Sequence, residues 1–215
     1  AVSPYVKGQL AGIRNFLAED IRTARRYLSS LKIYESIEAL RFSTLNKDTM
    51  PEELDDMFAC VFQGEHLGVL SESGCPGVAD PGALAVRFAH LHGIRVIPMV
   101  GPSSILLAIM ASGLNGQRFA FNGYLPIQAK DSAKAIREYE KESRAKNQTQ
   151  VFIETPYRNN ALLGHLVRNL MPDTHLCLAI DITGPDEFIL TKRVAEWRQQ
   201  LPELSKNPAG FLFLA

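Results

Sequence analysis

Several large classes of protein are excluded by what the sequence lacks. It has only three cysteines among 215 residues, and Cys60, Cys75 and Cys177 show no CxxC spacing, so neither a disulfide framework nor a zinc site is supported. The five histidines show no HxxxH spacing, so no metal is expected. Lysine plus arginine equals aspartate plus glutamate at 23 each, so no strong net field attracts the chain to nucleic acid or to an anionic membrane.

Membrane and export signals are missing too. No apolar run approaches the roughly 20 residues that span a bilayer, and the opening AVSPYVKGQL has neither the basic nor the apolar segment of a signal peptide. We therefore expect a cytoplasmic protein with reduced thiols and no membrane partner. The opening also lacks an initiator methionine and leads almost at once into structured-looking sequence, which predicts that an upstream segment is absent.

The patterning that is present predicts an α/β fold. Short β-rich runs alternate with amphipathic stretches along the whole chain, which is typical of a largely parallel sheet. A stretch rich in Gly and Asn, residues 112–124, is the best linker candidate and divides the chain into an N-terminal parallel α/β domain (1–115) and a C-terminal α/β domain with a mixed sheet (116–215). Strands are predicted at 13–18, 37–42, 67–70, 95–98, 118–121, 150–154, 175–182, 188–191 and 210–214, and helices at 53–62, 83–92, 103–112 and 133–145.

The most informative motif is LGVLSESGCPGVADPG, residues 67–82. A buried-looking strand runs into a loop rich in glycine and proline before a helix begins, and open α/β sheets bind ligands at the carboxyl ends of their parallel strands. The glycines let the backbone approach a ligand closely. The same pattern also fits a rigid turn that merely joins strand to helix. Neither GxGxxG nor GxxxxGK[ST] occurs, so a dinucleotide fingerprint and a P-loop are excluded.

A second motif, VIPMVGPSSILLAIMASG at residues 96–113, places two serines where an apolar helix starts. Ser103 and Ser104 suit either a helix cap or a contact with a ligand carboxylate or ribose, and both roles are compatible. The helix itself is apolar all round, so we expect it to be enclosed or covered by a second copy of the chain.

Four stretches, SESGCPGVADPG, GIRVIPMVGPSS, FAFNGYLP and FIETPYR, occur in the order and spacing of the tetrapyrrole methylase superfamily, and LAEDIRTARRYL upstream belongs to the same pattern. The chain resembles this superfamily over nearly its whole length, from about Ala18 onward. Within it, the chain is most similar to the small-subunit ribosomal RNA 2′-O-ribose methyltransferases. The resemblance implies two α/β domains with S-adenosylmethionine in the cleft between them, in a homodimer.

The resemblance also implies a set of binding residues and an activity. The activity is methyl transfer from S-adenosylmethionine to a ribose 2′-hydroxyl of ribosomal RNA, with a tetrapyrrole or other small molecule as the alternative acceptor and a cofactor-binding module without activity as the alternative class. The implied cofactor-binding residues are Cys75, Pro76, Val78, Ser103, Ser104, Thr155, Pro156, Tyr157, Asp181, Ile182 and Ala209.

Two departures from the family pattern bear on this interpretation. Nothing in AVSPYVKGQL matches the strand and Gly/Pro-rich loop with which the family begins. The strand around 179–183 opens the sequence AIDITGPDEFIL. The RNA-modifying relatives carry an Arg-Lys pair in the run that follows this strand, whereas this chain has Asp181 and Pro185 in that region, which weakens the inference of an RNA substrate.

Charged residues near the motifs are the remaining candidates. Glu72 in the glycine-rich loop is the candidate general base, with Glu154 as the other carboxylate, and an ordinary surface carboxylate is the alternative for Glu72. Arg22, Arg25 and Arg26 lie on one side of a predicted helix, as either a solvated face or a phosphate contact.

Overall fold

The computed structural model describes residues 2–215. They form two compact units, unit 1 up to Ser103 and unit 2 from Ser104 to Ala215. Each unit contains a β-sheet and helices, so the α/β class holds for both. The boundary lies earlier than the expected division after residue 115, because the apolar helix of residues 104–112 packs with the second sheet.

Unit 1 has a three-stranded parallel sheet in the order β2-β1-β3. Its elements are α1 (Pro4–Ala11), β1 (Asn15–Ala18), α2 (Ile21–Leu31), β2 (Arg41–Thr44), a 3₁₀ turn (Pro51–Glu53), α3 (Leu54–Met57), α4 (Ala59–Phe62), β3 (Leu67–Leu70) and α5 (Gly82–Leu91). The central strand β1 is buried at every position, as expected for a strand with neighbours on both edges and cover on both faces. Asp20 caps α2 by accepting a hydrogen bond from Thr23 N–H at 2.6 Å.

Three predicted elements of unit 1 differ from the structure. The strand predicted at 37–42 lies instead at Arg41–Thr44. Residues 95–98 form no strand, although Ile94 and Val96 alternate into the core beside β3 as a strand would. The segment makes no ladder hydrogen bonds, and Pro98 has no N–H to contribute to one. The helix predicted at 53–62 is broken into α3 and α4, because Phe58 adopts φ −93° and ψ 0° between them.

Unit 2 has a five-stranded mixed sheet in the order β4-β5-β8-β6-β7. Its elements are α6 (Ser104–Ser112), β4 (Phe119–Phe121), α7 (Ala129–Lys146), β5 (Thr149–Glu154), a 3₁₀ turn (Pro156–Arg158), α8 (Asn159–Asn169), β6 (His175–Ile180), β7 (Phe188–Arg193), α9 (Val194–Trp197) and β8 (Ala209–Leu214). β4 and β5 are parallel and the other pairs are antiparallel.

The alternation of side chains along the central strands of unit 2 builds two cores. Phe152, Phe211 and Phe213 point to the face that α7 and α8 cover, together with the buried leucines of α8. Val151 and Leu212 point to the opposite face, where Ala108 and Ile109 of α6 cover them. The sheet is therefore covered on both faces, and one face of α6 is enclosed within its own unit.

Candidate functional site

The loop between β3 and α5, residues 71–81, is called the glycine loop here. Gly74 and Gly77 have φ of +77° and +80°, and Ala79 has φ of +54°. Such values suit glycine and are rare for other residues, so the backbone follows a path that few sequences allow. A Cβ at Gly74 would meet no atom within 4 Å, so open space lies beside this part of the loop.

One carboxylate pins the C-terminal half of the glycine loop. Asp80 Oδ1 accepts hydrogen bonds from the backbone N–H of Gly77 at 3.0 Å and of Gly82 at 2.7 Å. A Cβ on Gly82 would lie 2.7 Å from that Oδ1, 3.0 Å from Gly77 N and 3.2 Å from Val69 Cγ1. Gly82 is therefore required for the loop to close onto the start of α5.

The structure places the predicted unit 1 residues as follows. Cys75 Sγ lies 3.6 Å from the carbonyl oxygen of Pro102, so the glycine loop contacts the segment that ends at Ser103. Pro76 is exposed, and Val78 exposes 48 % of its surface. Ser103 is half-buried at the end of the unit, and Ser104 is the first residue of α6.

Glu72 lies in an exposed turn of the glycine loop. The hydroxyl of Ser71 donates to Ser73 O at 2.9 Å and accepts from Ser73 N–H at 3.3 Å, which fixes the backbone on either side of the glutamate. The Glu72 side chain is exposed. Its role as a base stays a prediction.

The predicted residues of unit 2 meet at one edge of the sheet. β8 lies between β5 and β6 and runs antiparallel to both, so that Ala209 pairs with Glu154 at the end of β5 and with Ile180 at the end of β6. Three segments therefore converge: residues 155–160, residues 181–187 and residues 204–208. We call this the three-loop edge. It brings Thr155, Asp181 and Ala209 together although they are far apart in sequence.

The segment after β5 is organised by a buried carboxylate. Glu154 Oε1 accepts from Thr155 N–H at 2.7 Å, and Oε2 lies 3.1 Å from Nη2 of Arg158, which is partly exposed. These two contacts hold the turn of Pro156, and the role of Glu154 as a base stays a prediction. Tyr157 exposes 84 % of its surface, and the ammonium of Lys206 lies 5.3 Å from its ring centroid.

The segment after β6 is a tight turn. Asp181 and Thr183 have φ of +49° and +65°, and Asp181 Oδ2 accepts from Asp186 N–H at 3.0 Å. Asp181 N–H donates to Pro208 O at 2.9 Å, which joins this turn to the segment before β8. Ile182 packs against the α6 side of the sheet, so at least part of its side chain serves the core.

Sequence reasoning missed Asn159 and Asn160, which follow the Pro156 turn. Both side chains hydrogen-bond the backbone of residues 204–207. The signal that could have found them is a pair of asparagines at a helix start, where their amides compete for backbone partners.

The three arginines of α2 are exposed, and the Arg25 guanidinium lies 5.3 Å from the Phe42 ring centroid. This packing accounts for Arg25. Arg22 and Arg26 make no ion pair with any of residues 2–215, and their exposure fits both a solvated face and a phosphate contact. Among residues 2–215, no group of three or more His, Cys, Asp and Glu side chains is placed to hold a metal ion. No helix within that range has the length and apolarity to cross a membrane.

The chemistry of both places fits a ligand such as S-adenosylmethionine. The glycine loop offers backbone groups, open space and the exposed apolar side chain of Val78, and the three-loop edge offers backbone groups beside the carboxylate of Asp181. The glycine loop contains no lysine or arginine, and the two basic residues of the three-loop edge are engaged, Arg158 with the carboxylate of Glu154 and Lys206 with the ring of Tyr157. This arrangement does not favour a phosphate-rich ligand.

Known proteins resemble this chain in sequence and in fold. No protein-family model matches the chain. The small-subunit ribosomal RNA methyltransferase I of Neisseria meningitidis serogroup B is 31% identical over 197 residues, which is 92% of this chain and 64% of that protein. The methyltransferase CobJ has the same fold, with a TM-score of 0.60 and 16% identity over 99% of this chain and 87% of that one.

The chain is a homologue of small-subunit ribosomal RNA methyltransferase I, and it shares its fold with solved methyltransferases such as CobJ. Another solved structure, a uroporphyrin-III C-methyltransferase from Thermus thermophilus complexed with S-adenyl homocysteine, shares the fold at a TM-score of 0.51, with 17% identity over 99% of this chain and 90% of that one. The chain spans about half to two thirds of the length of the first curated relatives that it matches.

Proposed function

We propose that this chain belongs to the tetrapyrrole methylase superfamily and is an S-adenosylmethionine-dependent methyltransferase that acts on a ribose 2′-hydroxyl of small-subunit ribosomal RNA. The observation that carries the proposal is the three-loop edge, because residues implied separately by the family resemblance converge there at the pairing of Ala209 with Glu154 and Ile180. The 31% identity to a small-subunit ribosomal RNA methyltransferase supports the choice of substrate.

The binding roles follow from what each place offers. In unit 1, the glycine loop holds the cofactor through backbone groups and the apolar contact of Val78, with Cys75, Pro76 and Ser103 beside it. In unit 2, the three-loop edge supplies Thr155, Pro156, Tyr157, Asp181, Ile182 and Ala209, and Ser104 contributes from the start of α6. The Thermus thermophilus structure with S-adenyl homocysteine supports this choice of cofactor.

The protein's chemical task is mainly one of positioning. S-adenosylmethionine supplies a methyl group on a sulfonium, which is already a good leaving group. Holding two reactants in line contributes roughly 7 to 11 kcal/mol toward such a barrier. The attacking hydroxyl must lose a proton, and we assign its acceptance to the carboxylate of Glu72, whose backbone the Ser71 hydroxyl holds.

A small-molecule acceptor, such as a tetrapyrrole, is the second candidate. Asp181, Asp186 and Glu187 place three carboxylates in one turn of the three-loop edge, which disfavours a phosphate backbone there. The third candidate is a module that binds the cofactor without transferring its methyl group.

Calorimetric titration with S-adenosylmethionine and S-adenosylhomocysteine tests the cofactor first. We expect micromolar dissociation constants, and no binding at millimolar ligand would overturn the methyltransferase assignment. Transfer of labelled methyl groups to small ribosomal subunits, with a tetrapyrrole in parallel, then separates the acceptors. Binding without transfer to either would leave only the cofactor-binding module.

The partner expected from the resemblance is a second copy of the chain. The buried side of α6 packs on its own sheet, but Leu106 and Met110 expose 52% and 77% of their surfaces one helical turn apart. We propose a cytoplasmic homodimer that covers this side. Sedimentation equilibrium should give twice the chain mass of 23.8 kDa, and a monomer at tens of micromolar would contradict the dimer.

A further inference from the structure

The first residue of α8, Asn159, has a fully buried side-chain amide. Asn159 has 0% relative exposure, and its side-chain amide donates to Ser205 O at 3.2 Å and to Asn207 O at 2.8 Å. Its Oδ1 accepts no hydrogen bond from any residue of the described range 2–215. Turning the amide over would set Oδ1 against two carbonyl oxygens, so the two donated bonds fix its orientation.

The neighbouring side chain reinforces the same attachment from the surface. Asn160 is exposed, donates to Leu204 O at 3.1 Å and accepts from Leu204 N–H at 2.8 Å. Residues 204–207 have no helix or strand of their own, and Ser205 and Lys206 are exposed. Leu204 is buried in the core of unit 2, so the dependence on these asparagines concerns the path of residues 205–207.

The held segment leads directly into the three-loop edge. Asn207 donates to Asp186 at 3.4 Å, and Pro208 O accepts from Asp181 N–H at 2.9 Å. Ala209 follows at once as the first residue of β8. A displacement of the segment would move the backbone that joins Ala209 to Asp181.

We propose that Asn159 is a positioning residue for cofactor binding. Its amide fixes the backbone of residues 205–208 and, through it, the placement of Ala209 and Asp181. The inference rests on the proposed function, because it concerns how the three-loop edge is shaped for the same cofactor.

Stability alone does not account for the choice of asparagine. A buried acceptor without a donor is destabilising, and a leucine of similar size would remove it. The carbonyls of Ser205 and Asn207 lie in a partly exposed segment, where water can replace the amide as their donor. What leucine cannot do is hold those two carbonyls in one arrangement.

The test compares Asn159→Leu with Asn169→Leu, which makes the same chemical change at the other end of α8. Asn169 hydrogen-bonds His165 O and the Arg137 guanidinium and forms no hydrogen bond with residues 204–209. Asn160→Ala is a second variant. Because Asn160 is exposed, this variant should fold even if Asn159→Leu does not. Each full-length protein is assayed for amide hydrogen exchange and for S-adenosylhomocysteine affinity below its melting temperature.

We expect Asn159→Leu to speed exchange at residues 204–209 and at Asp181, and to raise the dissociation constant about tenfold or more, which corresponds to losing two hydrogen bonds. Asn160→Ala should act in the same direction with a smaller effect, and Asn169→Leu should leave both readouts at wild-type values.

Three results would overturn the inference: wild-type affinity in a folded Asn159→Leu protein, weakened binding without faster exchange in this segment, or an equal effect of Asn169→Leu. If the wild-type protein itself binds no S-adenosylhomocysteine, the proposed function fails. In that case faster exchange would establish only that Asn159 holds the segment, and the positioning role for the cofactor would be rejected with the proposed function.

Discussion

The glycine loop of unit 1 and the three-loop edge of unit 2 keep their shapes by different means. In the glycine loop, positive φ angles at Gly74, Gly77 and Ala79 set the path, and one carboxylate, Asp80, closes it. At the three-loop edge, side chains join segments that are distant in sequence, as Asn159 does with residues 205 and 207.

This difference determines which changes each place tolerates. A loop shaped by backbone conformation is sensitive to any added Cβ at its tight points and insensitive to most exposed side chains. The three-loop edge is shaped by side-chain hydrogen bonds. Replacing one polar residue can therefore disturb a segment that is distant from it in sequence.

The largest expected effect comes from Gly82→Ala in unit 1. The new Cβ would lie 3.0 Å from Gly77 N, a backbone atom, and 2.7 Å from Asp80 Oδ1. We expect the free energy of unfolding to fall by about 2 to 3 kcal/mol. Urea unfolding followed by circular dichroism measures this.

The matched control is Gly12→Ala, where the added Cβ meets only Gln9 O at 3.7 Å, an ordinary contact, and φ is −84°. We expect the urea midpoint of this variant to equal that of the wild-type protein. Equal midpoints for both variants would show that the glycine loop adjusts freely.

The next effect concerns binding and not folding. Val78→Asp places a carboxylate on the apolar contact that we assign to the cofactor, and Val78 is 48% exposed, so the fold should persist. We expect the dissociation constant for S-adenosylhomocysteine to rise about a hundredfold. Met50→Asp, at a side chain that is 59% exposed outside the glycine loop, should bind normally. A folded Val78→Asp protein with unchanged affinity would make the glycine loop purely structural.

The same difference explains what the sequence could and could not predict. The glycine loop is contiguous, so its residues and its position after β3 can be recognised from one stretch of sequence. Strands β5, β6 and β8 were predicted almost to their ends, because each is a short run of mainly apolar residues, as is typical of strands that are buried on both faces. Their joint edge depends on β8 lying between β5 and β6, which no local pattern encodes. Asn159 was missed for this reason, since its partners lie more than forty residues away.

Local patterns also fail where tertiary partners decide. Residues 95–98 alternate like a strand, but the described unit 1 sheet ends at β3 and provides no ladder for them. The periodicity reports which side chains face the core, and Ile94 and Val96 do face it. It does not report whether the backbone finds a hydrogen-bonding neighbour.

A moderate effect is expected when the ion pair of the three-loop edge is broken. Arg158→Met leaves the fully buried side chain of Glu154 without its cation, whereas Glu154→Gln removes the charge itself. Because Arg158 is about one-third exposed, we expect losses in unfolding free energy of about 2 kcal/mol for the first and about 1 kcal/mol for the second.

The double variant distinguishes this explanation from simple loss of packing. With both charges gone, stability should resemble that of Glu154→Gln alone, because no uncompensated carboxylate remains. Additive losses in urea unfolding would mean that the two side chains contribute independently and that the ion pair does not organise the turn.

The smallest expected effect is on the pKa values of two exposed carboxylates, Asp20 in unit 1 and Asp173 in unit 2. A backbone N–H holds the first and a side chain holds the second, as in the contrast between the glycine loop and the three-loop edge. The pKa of Asp20 is lowered from its ordinary value of 3.8 mainly by the backbone N–H of Thr23, whereas that of Asp173 is lowered mainly by hydrogen bonds from the Arg144 side chain. Both carboxylates favour the folded state when ionised. Their stabilisation is therefore complete above the unfolded-state pKa and is lost as the pH falls through the lowered folded-state value.

Salt should separate the two carboxylates. A backbone cap in direct contact is screened little, whereas the Arg144 pair is held by two mobile, half-exposed side chains and weakens as ionic strength rises. In carboxyl-carbon NMR titrations at low and high salt, we expect the pKa of Asp173 to move back toward 3.8 while that of Asp20 stays low. Arg144→Met should reproduce the change at Asp173 without salt and leave Asp20 unaltered. If salt moved both values equally, the two carboxylates would be held by the same kind of charge interaction, and the contrast between backbone and side-chain control would not extend beyond the two loops.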